Sequence, residues 1–253
     1  MLDQINLKDI IDIAKEAGDA IMKIYDKDFR IDYKDDKSPL TEADIKSNEI
    51  ICNALAKLFP EIPLLSEENQ EIPYENRKNW DYFWLIDPID GTKEFIKKNG
   101  EFTVNIALIH EDSPVLGVVY APALNDIYFS KKGEGAYKNE QRLPLRTNEH
   151  PERELRVVAS KSHLSEETQT FIDDLGSKTE HIEKVSRGSS LKLCMVAEGE
   201  ADIYPRLAPT MEWDTAAAHA VVLEAGKKVL QYDSYQSLVY NKKSLLNPWF
   251  IVK

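Results

Sequence analysis

Apolar residues at Ile10, Ile13, Ala17, Ile21 and Ile24 recur at the three-to-four-residue spacing of one helical face, which predicts an amphipathic helix near the start of the chain. Asn6 suits its N-cap and Asp9 its first turn. The stretch from Asp26 to Ser38 is dense in charge and reads as a loop or short hairpin. A second helix follows Pro39, with Thr41 and Asp44 at capping-box spacing, Ile51, Leu55 and Leu58 on its apolar side, and Pro60 and Pro63 ending it. The pattern then shortens to strands: 63–66, 82–86, 102–109, 115–120 and 127–130, separated by turn residues, as in a mostly antiparallel sheet.

Past residue 150 strand and helix alternate. Strands are predicted at 155–159 and 201–204, and helices at 166–175, 189–197 and 215–225. In the last helix Ala218, Val221, Val222 and Ala225 form one stripe, and Gly226 fits the position that ends it. The polar linker 147–153 is short. It therefore predicts two packed parts, 1–150 and 151–253, rather than freely moving domains.

Composition narrows the class. Of 253 residues, 42% are hydrophobic and 30% charged, which suits a folded globular chain and not a disordered one. No apolar run nears the roughly 18 residues of a membrane helix. The acidic, periodic N-terminus lacks the pattern of a signal peptide. The expected location is the cytoplasm, with attachment to the inner membrane face left open. Cys52 and Cys194 read as reduced thiols in apolar surroundings. A net charge of −12 argues against a long nucleic-acid partner, but it does not oppose a small anion whose charge is met by a bound cation.

The chemically informative segment is Asp87-Pro88-Ile89-Asp90-Gly91-Thr92. An apolar strand ends in two carboxylates, Pro88 stiffens the turn, Gly91 permits a sharp one, and a short helix can begin at Thr92. Carboxylate oxygens beside the N–H groups of a helix start suit a magnesium ion shared with a phosphate. Three further acidic sites stand at element ends: Thr41-Glu42-Ala43-Asp44, Glu67-Glu68 and Trp213-Asp214-Thr215. Each alone is equally explained by helix capping or solvation, and spacing does not show that they converge.

Taken in order, Ser66-Glu67-Glu68, Asp87-Pro88-Ile89-Asp90-Gly91-Thr92 and Trp213-Asp214-Thr215 resemble the motifs of the inositol monophosphatase and fructose bisphosphatase superfamily, metal-dependent and lithium-sensitive phosphatases. Within it, Gly91-Thr92-Lys93-Glu94-Phe95-Ile96, Ser38-Pro39-Leu40-Thr41-Glu42-Ala43-Asp44, Gly188-Ser189-Ser190-Leu191-Lys192 and Ile203-Tyr204-Pro205-Arg206 resemble the bacterial 3′(2′),5′-bisphosphate nucleotidases over nearly the whole chain. Arg187 departs from that pattern, where a smaller or aliphatic residue is expected.

The resemblance implies an α+β fold of layered αβαβα type. It also implies hydrolysis of the 3′-phosphate of adenosine 3′,5′-bisphosphate to AMP, with 3′-phosphoadenylyl sulfate as a second substrate, in the setting of sulfate assimilation. It implies two Mg²⁺ ions, or three, held by Glu67, Asp87, the Ile89 carbonyl, Asp90 and Asp214. Asp44 and Thr92 would activate the attacking water, and the N–H groups of Gly91 and Thr92 would hold the phosphate. Ser189, Ser190, Lys192 and Arg206 would bind the nucleotide, with Glu212 at the ribose and His163 at the second phosphate. The segment 34–37 is a candidate to close over the site. The partner implied is a small bisphosphorylated nucleotide, and the chain a monomer or homodimer. Two other readings share these motifs: an inositol or sugar phosphatase of the same superfamily, and a non-catalytic magnesium- and nucleotide-binding protein.

Overall fold

The computed structural model describes residues 1–34, 39–69, 72–146, 154–159, 165–177 and 181–253. Helix α1 (Leu7–Tyr25) opens at Asn6, whose side chain accepts from the Lys8 N–H at 3.1 Å, and it buries Ile10, Ile13, Ala17 and Ile21. Strand β1 (Ile31–Tyr33) pairs antiparallel with β2 (Pro39–Thr41), so the charged stretch begins as a hairpin; residues 35–38 lie outside the described set. Helix α2 (Glu42–Leu58) starts with the expected capping box: Thr41 Oγ1 accepts from the Ala43 N–H, and Asp44 Oδ2 accepts from the Thr41 N–H at 2.7 Å. Leu58 is exposed, contrary to expectation, because Phe59 packs on Trp84 in its place.

The main sheet runs in sequence order: β3 (Leu64–Ser66), β4 (Tyr82–Asp90), β5 (Thr103–His110), β6 (Ser113–Ala121), β7 (Asp126–Lys131), β8 (Gly135–Lys138) and β9 (Gln141–Arg142). Only the β3–β4 pair is parallel. The short helices α3 (Tyr74–Arg77) and α4 (Thr92–Ile96) flank β4. Strand alternation divides the apolar residues between two cores. Trp84, Ile86, Val104, Ile106 and Leu108 meet α1 and α2, whereas Phe83, Leu85, Ala107 and Ile109 face the other way.

That second core also receives α6 (Leu191–Glu198) and α7 (Ala216–Glu224), so it draws on both sides of residue 150. Helix α7 is buried all round from Ala216 to Val222 rather than along one stripe. One flank lies on the main sheet, where a Cβ added to Gly117 would stand 2.1 Å from the Ala217 carbonyl oxygen. The other meets a small sheet of order β12 (Tyr204–Arg206), β14 (Phe250–Val252), β13 (Val229–Gln231). Strand β10 (Leu155–Val158) pairs parallel with β11 (Ile182–Val185) and reaches that sheet through a Val157–Ile203 bridge. Helix α5 (Glu166–Gly176) closes the outer face through Ile172 against Val157 and Ala159. The layers are therefore αβαβα. The strand expected at 201–204 lies instead at Tyr204–Arg206, and β8, β9, β11, β13 and β14 were not anticipated.

Candidate active site

The site grows from the end of β4. Pro88 offers no N–H to a neighbouring strand, and the ladder with β5 shifts register between Asp87 and Asp90. The carbonyls in this bulge find side-chain donors instead: Ser47 Oγ donates to Pro88 O at 2.9 Å, and Thr92 Oγ1 to Ile89 O at 3.3 Å. Gly91 then turns the chain into α4 at φ 92°. A Cβ there would lie 3.2 Å from Ser189 Cβ and 3.3 Å from Glu101 O, so both conformation and space favour glycine. Helix α2 comes alongside, and Thr92 Oγ1 also lies 3.2 Å from Asp44 Oδ1. Asp44 is buried, and its other oxygen accepts from Thr41 Oγ1 at 2.6 Å.

A cavity of about 420 Å³ opens beside this turn. Glu67, Asp87, Ile89, Asp90, Gly91, Thr92 and Asp214 all line it, together with Pro39, Lys93, Glu94 and Pro209. Asp87 is 1% exposed, and its Oδ1 has no hydrogen-bond partner. Burial pushes its pKa well up, and Glu67, Asp90, Asp214 and Asp44 push it further. Asp90 is raised to about 6 by burial, against the pull of Lys192 and of the Ser190 N–H, which donates to Oδ2 at 2.5 Å. Asp214 is raised to about 8 by burial and by Asp90; its Oδ2 accepts from the Met211 N–H at 2.8 Å, and Thr215, not Asp214, is the N-cap of α7. Buried carboxylates that repel one another and leave an oxygen unpaired suit a hard divalent cation held by oxygen ligands.

Lys34 reaches the acidic cluster from the hairpin. Lys34 Nζ donates to Glu67 Oε1 at 2.8 Å and to Glu68 Oε1 at 2.6 Å. Burial lowers the Lys34 pKa, but Glu67 and Glu68 outweigh it and the net shift is upward. Lys34 thus touches the acidic pair, while the rest of the 34–37 segment lies outside the described residues.

A smaller cavity of about 70 Å³ adjoins the first and shares Asp90 and Asp214 with it. Ser189, Ser190, Lys192, Tyr204, Arg206, Thr210 and Phe250 are among its walls. Burial lowers Lys192 to about 8, and its ammonium stands 6.0 Å from the centre of the Tyr204 ring. Arg206 Nη2 donates to Pro209 O at 2.9 Å, while its Nε has no partner. Ser190 is placed differently from expectation. It lines the smaller cavity, but its hydroxyl lies between Thr103 Oγ1 at 2.8 Å and Asn105 Oδ1 at 2.9 Å, and its N–H donates to Asp90.

Glu212 does not meet its expected place. It is fully buried, lines neither cavity, and accepts from the Asn241 N–H and from the Lys242 N–H and ammonium at 2.7, 3.0 and 2.7 Å. His163 lies outside the described residues. Arg187 is not among the walls of the smaller cavity and stands 3.6 Å from Glu101. Sequence reasoning missed Ser47 and gave Lys34 no contact; only their side-chain bonds reveal them. Among the described residues, the group whose ligand atoms lie within 4.8 Å of one another is Asp81, His110 and Glu111, at the opposite end of β4. Among the described residues no helix is long and apolar enough to cross a membrane.

A profile of the inositol monophosphatase family matches residues 5–249. The 3′(2′),5′-bisphosphate nucleotidase CysQ of Salmonella typhimurium is 47% identical over 249 residues, covering 97% of this chain and 98% of that protein. CysQ of Escherichia coli K12 is 46% identical over 100% of this chain and 99% of its own. The crystal structure of CysQ from Bacteroides thetaiotaomicron superposes with a TM-score of 0.88 at 47% identity, covering 98% and 96% of the two chains. An inositol monophosphatase structure from Thermotoga maritima superposes at 0.77 with 27% identity, covering 96% and 89%. The chain belongs to the inositol monophosphatase family.

Proposed function

We propose that this protein is a 3′(2′),5′-bisphosphate nucleotidase, a phosphoric monoester hydrolase that takes the 3′-phosphate from adenosine 3′,5′-bisphosphate and leaves AMP. The observation that carries the reading is the pair of adjoining cavities: one lined by carboxylates, the other by Lys192 and Arg206, with Asp90 and Asp214 between them. A substrate with two phosphates at a short separation answers both. The near-full-length likeness to CysQ enzymes supports the same substrate class. Phosphoadenylyl sulfate shares the 3′-phosphate and is the second substrate of this reading, and removal of a by-product of sulfate assimilation is its setting.

Glu67, Asp87, the Ile89 carbonyl, Asp90 and Asp214 would hold Mg²⁺, two ions or three. Bound there, the metal supplies charge to the attacking and leaving oxygens of the phosphoryl group. Thr92 and Asp44 are in hydrogen-bond contact, so a water proton passed to Thr92 Oγ1 can be relayed to the Asp44 carboxylate. Burial raises the Asp44 pKa, which strengthens it as an acceptor, while the Thr41 and Thr92 hydrogen bonds keep the rise in check. The N–H groups at Gly91 and Thr92 hold the phosphate being transferred. Lys192 and Arg206 bind the second phosphate, with Arg206 also suited to grip two oxygens at once.

The test separates the two phosphates. Lys192→Ala and Arg206→Ala should each raise KM for adenosine 3′,5′-bisphosphate about tenfold or more, and for 3′-AMP by less than about threefold, a difference typical of one charged hydrogen bond. Equal effects on both substrates would remove these residues from the second-phosphate site.

A further inference from the structure

Three segments must keep a fixed spacing for the carboxylate cavity to work: the turn carrying Glu67, the bulge Asp87–Asp90, and Thr92. The Glu67 turn and the continuous stretch Asp87–Thr92 come from different parts of the chain, and one face of α2 is bonded to all three. Asp44 accepts from Thr92. One turn on, Ser47 Oγ donates to Pro88 O at 2.9 Å. Beside it, Asn48 Oδ1 accepts from Ser66 Oγ at 2.7 Å, and Asn48 Nδ2 donates to Asn69 Oδ1 at 2.9 Å, so Asn48 grips both ends of the Glu67–Glu68 turn. Positions i, i+3 and i+4 share a helix face, which is why three successive bonds can act as one bracket.

Ser47 is fully buried and Ser66 is 4% exposed, so water does not replace either bond when it is lost. The Ser47 bond has a further consequence. The register shift leaves the Pro88 and Ile89 carbonyls without strand partners. Ser47 occupies the Pro88 oxygen and thereby fixes the peptide that leads to Ile89, whose carbonyl oxygen accepts from the Thr92 hydroxyl at 3.3 Å and has a second lone pair to give.

We infer that Ser47 and Asn48 are positioning residues for the metal-holding cavity: the polar face of α2 sets the distance between the Glu67 turn and the Asp87–Asp90 bulge. This rests on the reading that the cavity holds divalent cations. Neither residue lines the cavity; both act through the segments they hold.

The test measures Mn²⁺ binding by the intact protein from the electron paramagnetic resonance signal of free Mn²⁺, alongside the melting temperature. Ser47→Ala and Asn48→Ala should each raise the Mn²⁺ dissociation constant about three- to tenfold while remaining folded at the assay temperature, the effect of one buried hydrogen bond. Ser66→Ala removes the Asn48–Ser66 bond from its other end, so the Asn48→Ala/Ser66→Ala double variant should bind no more weakly than Asn48→Ala alone. Ser130→Ala deletes a buried hydroxyl without a partner, away from the site, and should leave Mn²⁺ binding unchanged. Lower melting temperatures with an unchanged Mn²⁺ constant in both Ser47→Ala and Asn48→Ala would overturn the inference alone. A wild-type protein that binds no Mn²⁺ would overturn it together with the reading of the cavity.

Discussion

Replacing Lys34 by methionine keeps the length of the side chain and deletes its charge. Lys34 stands 2.8 Å from Glu67 and 2.6 Å from Glu68, with 23% of its side chain exposed. At an effective dielectric of about 20 the Glu67 contact alone amounts to about 6 kcal/mol of direct attraction. Desolvation and ordering of the side chain offset most of that, leaving the roughly 1.5–3 kcal/mol typical of a hydrogen bond to a charged group. Lys34 retains Glu68 when Glu67 turns to a cation, so the share lost at that moment is about 1–2 kcal/mol, or about five- to thirtyfold in an equilibrium constant. Lys34→Met should therefore lower the Mg²⁺ concentration for half-maximal phosphate release by about that factor. The assay holds ionic strength constant, since part of the pair is screened by salt. An unchanged or higher Mg²⁺ requirement would refute the argument that Lys34 competes with the cation for Glu67.

Two other outcomes follow from the carboxylate cluster. Asp90→Asn should abolish phosphate release and the rise in melting temperature on adding Mg²⁺, while the circular dichroism spectrum stays that of the wild type; retained turnover would sink the metal assignment. In EDTA the protein should lose stability as pH rises. Asp90 and Asp214 have folded-state pKa values raised to about 6 and about 8, above those of the unfolded chain, so the stabilisation is complete below the unfolded-chain values and is lost as pH climbs through the folded ones. The melting temperature in EDTA should fall between about pH 4 and about pH 8, less so in Asp214→Asn, and Mg²⁺ should restore more at the higher pH. A flat or rising profile shared by both proteins would contradict the repulsion described here.

Where one short segment determines its own structure, the fold was legible in the sequence. The Asn6 cap, the Thr41–Asp44 capping box and the apolar strand at 82–86 rest on neighbours in the chain, and all appear as read. The two- to four-residue strands β8, β9, β11, β13 and β14 carry too little pattern to be seen; their strand form comes from the partners they meet. Helix α7 read as a single stripe because alanine is weakly informative, whereas burial between two sheets uses every side of it. At the site, a strand ending in Asp87-Pro88-Ile89-Asp90-Gly91-Thr92 announces itself locally. The turning of Glu212 onto Lys242, the commitment of Ser190 to Thr103 and Asn105, and the reach of Lys34 to Glu67 depend on contacts between distant segments. Ser47 and Asn48 were hidden for the same reason: polar residues on a helix read as a solvated face until the segments opposite them are placed.

Phosphate release from adenosine 3′,5′-bisphosphate, measured beside inositol 1-phosphate and fructose 1,6-bisphosphate, each with Mg²⁺ and with EDTA, tests the central claim most directly. The account predicts release that requires Mg²⁺ and is much the fastest from the nucleotide. A faster reaction with either of the other substrates would contradict the assignment of the smaller cavity to a second phosphate of a nucleotide, and release from none of them would contradict the enzyme itself.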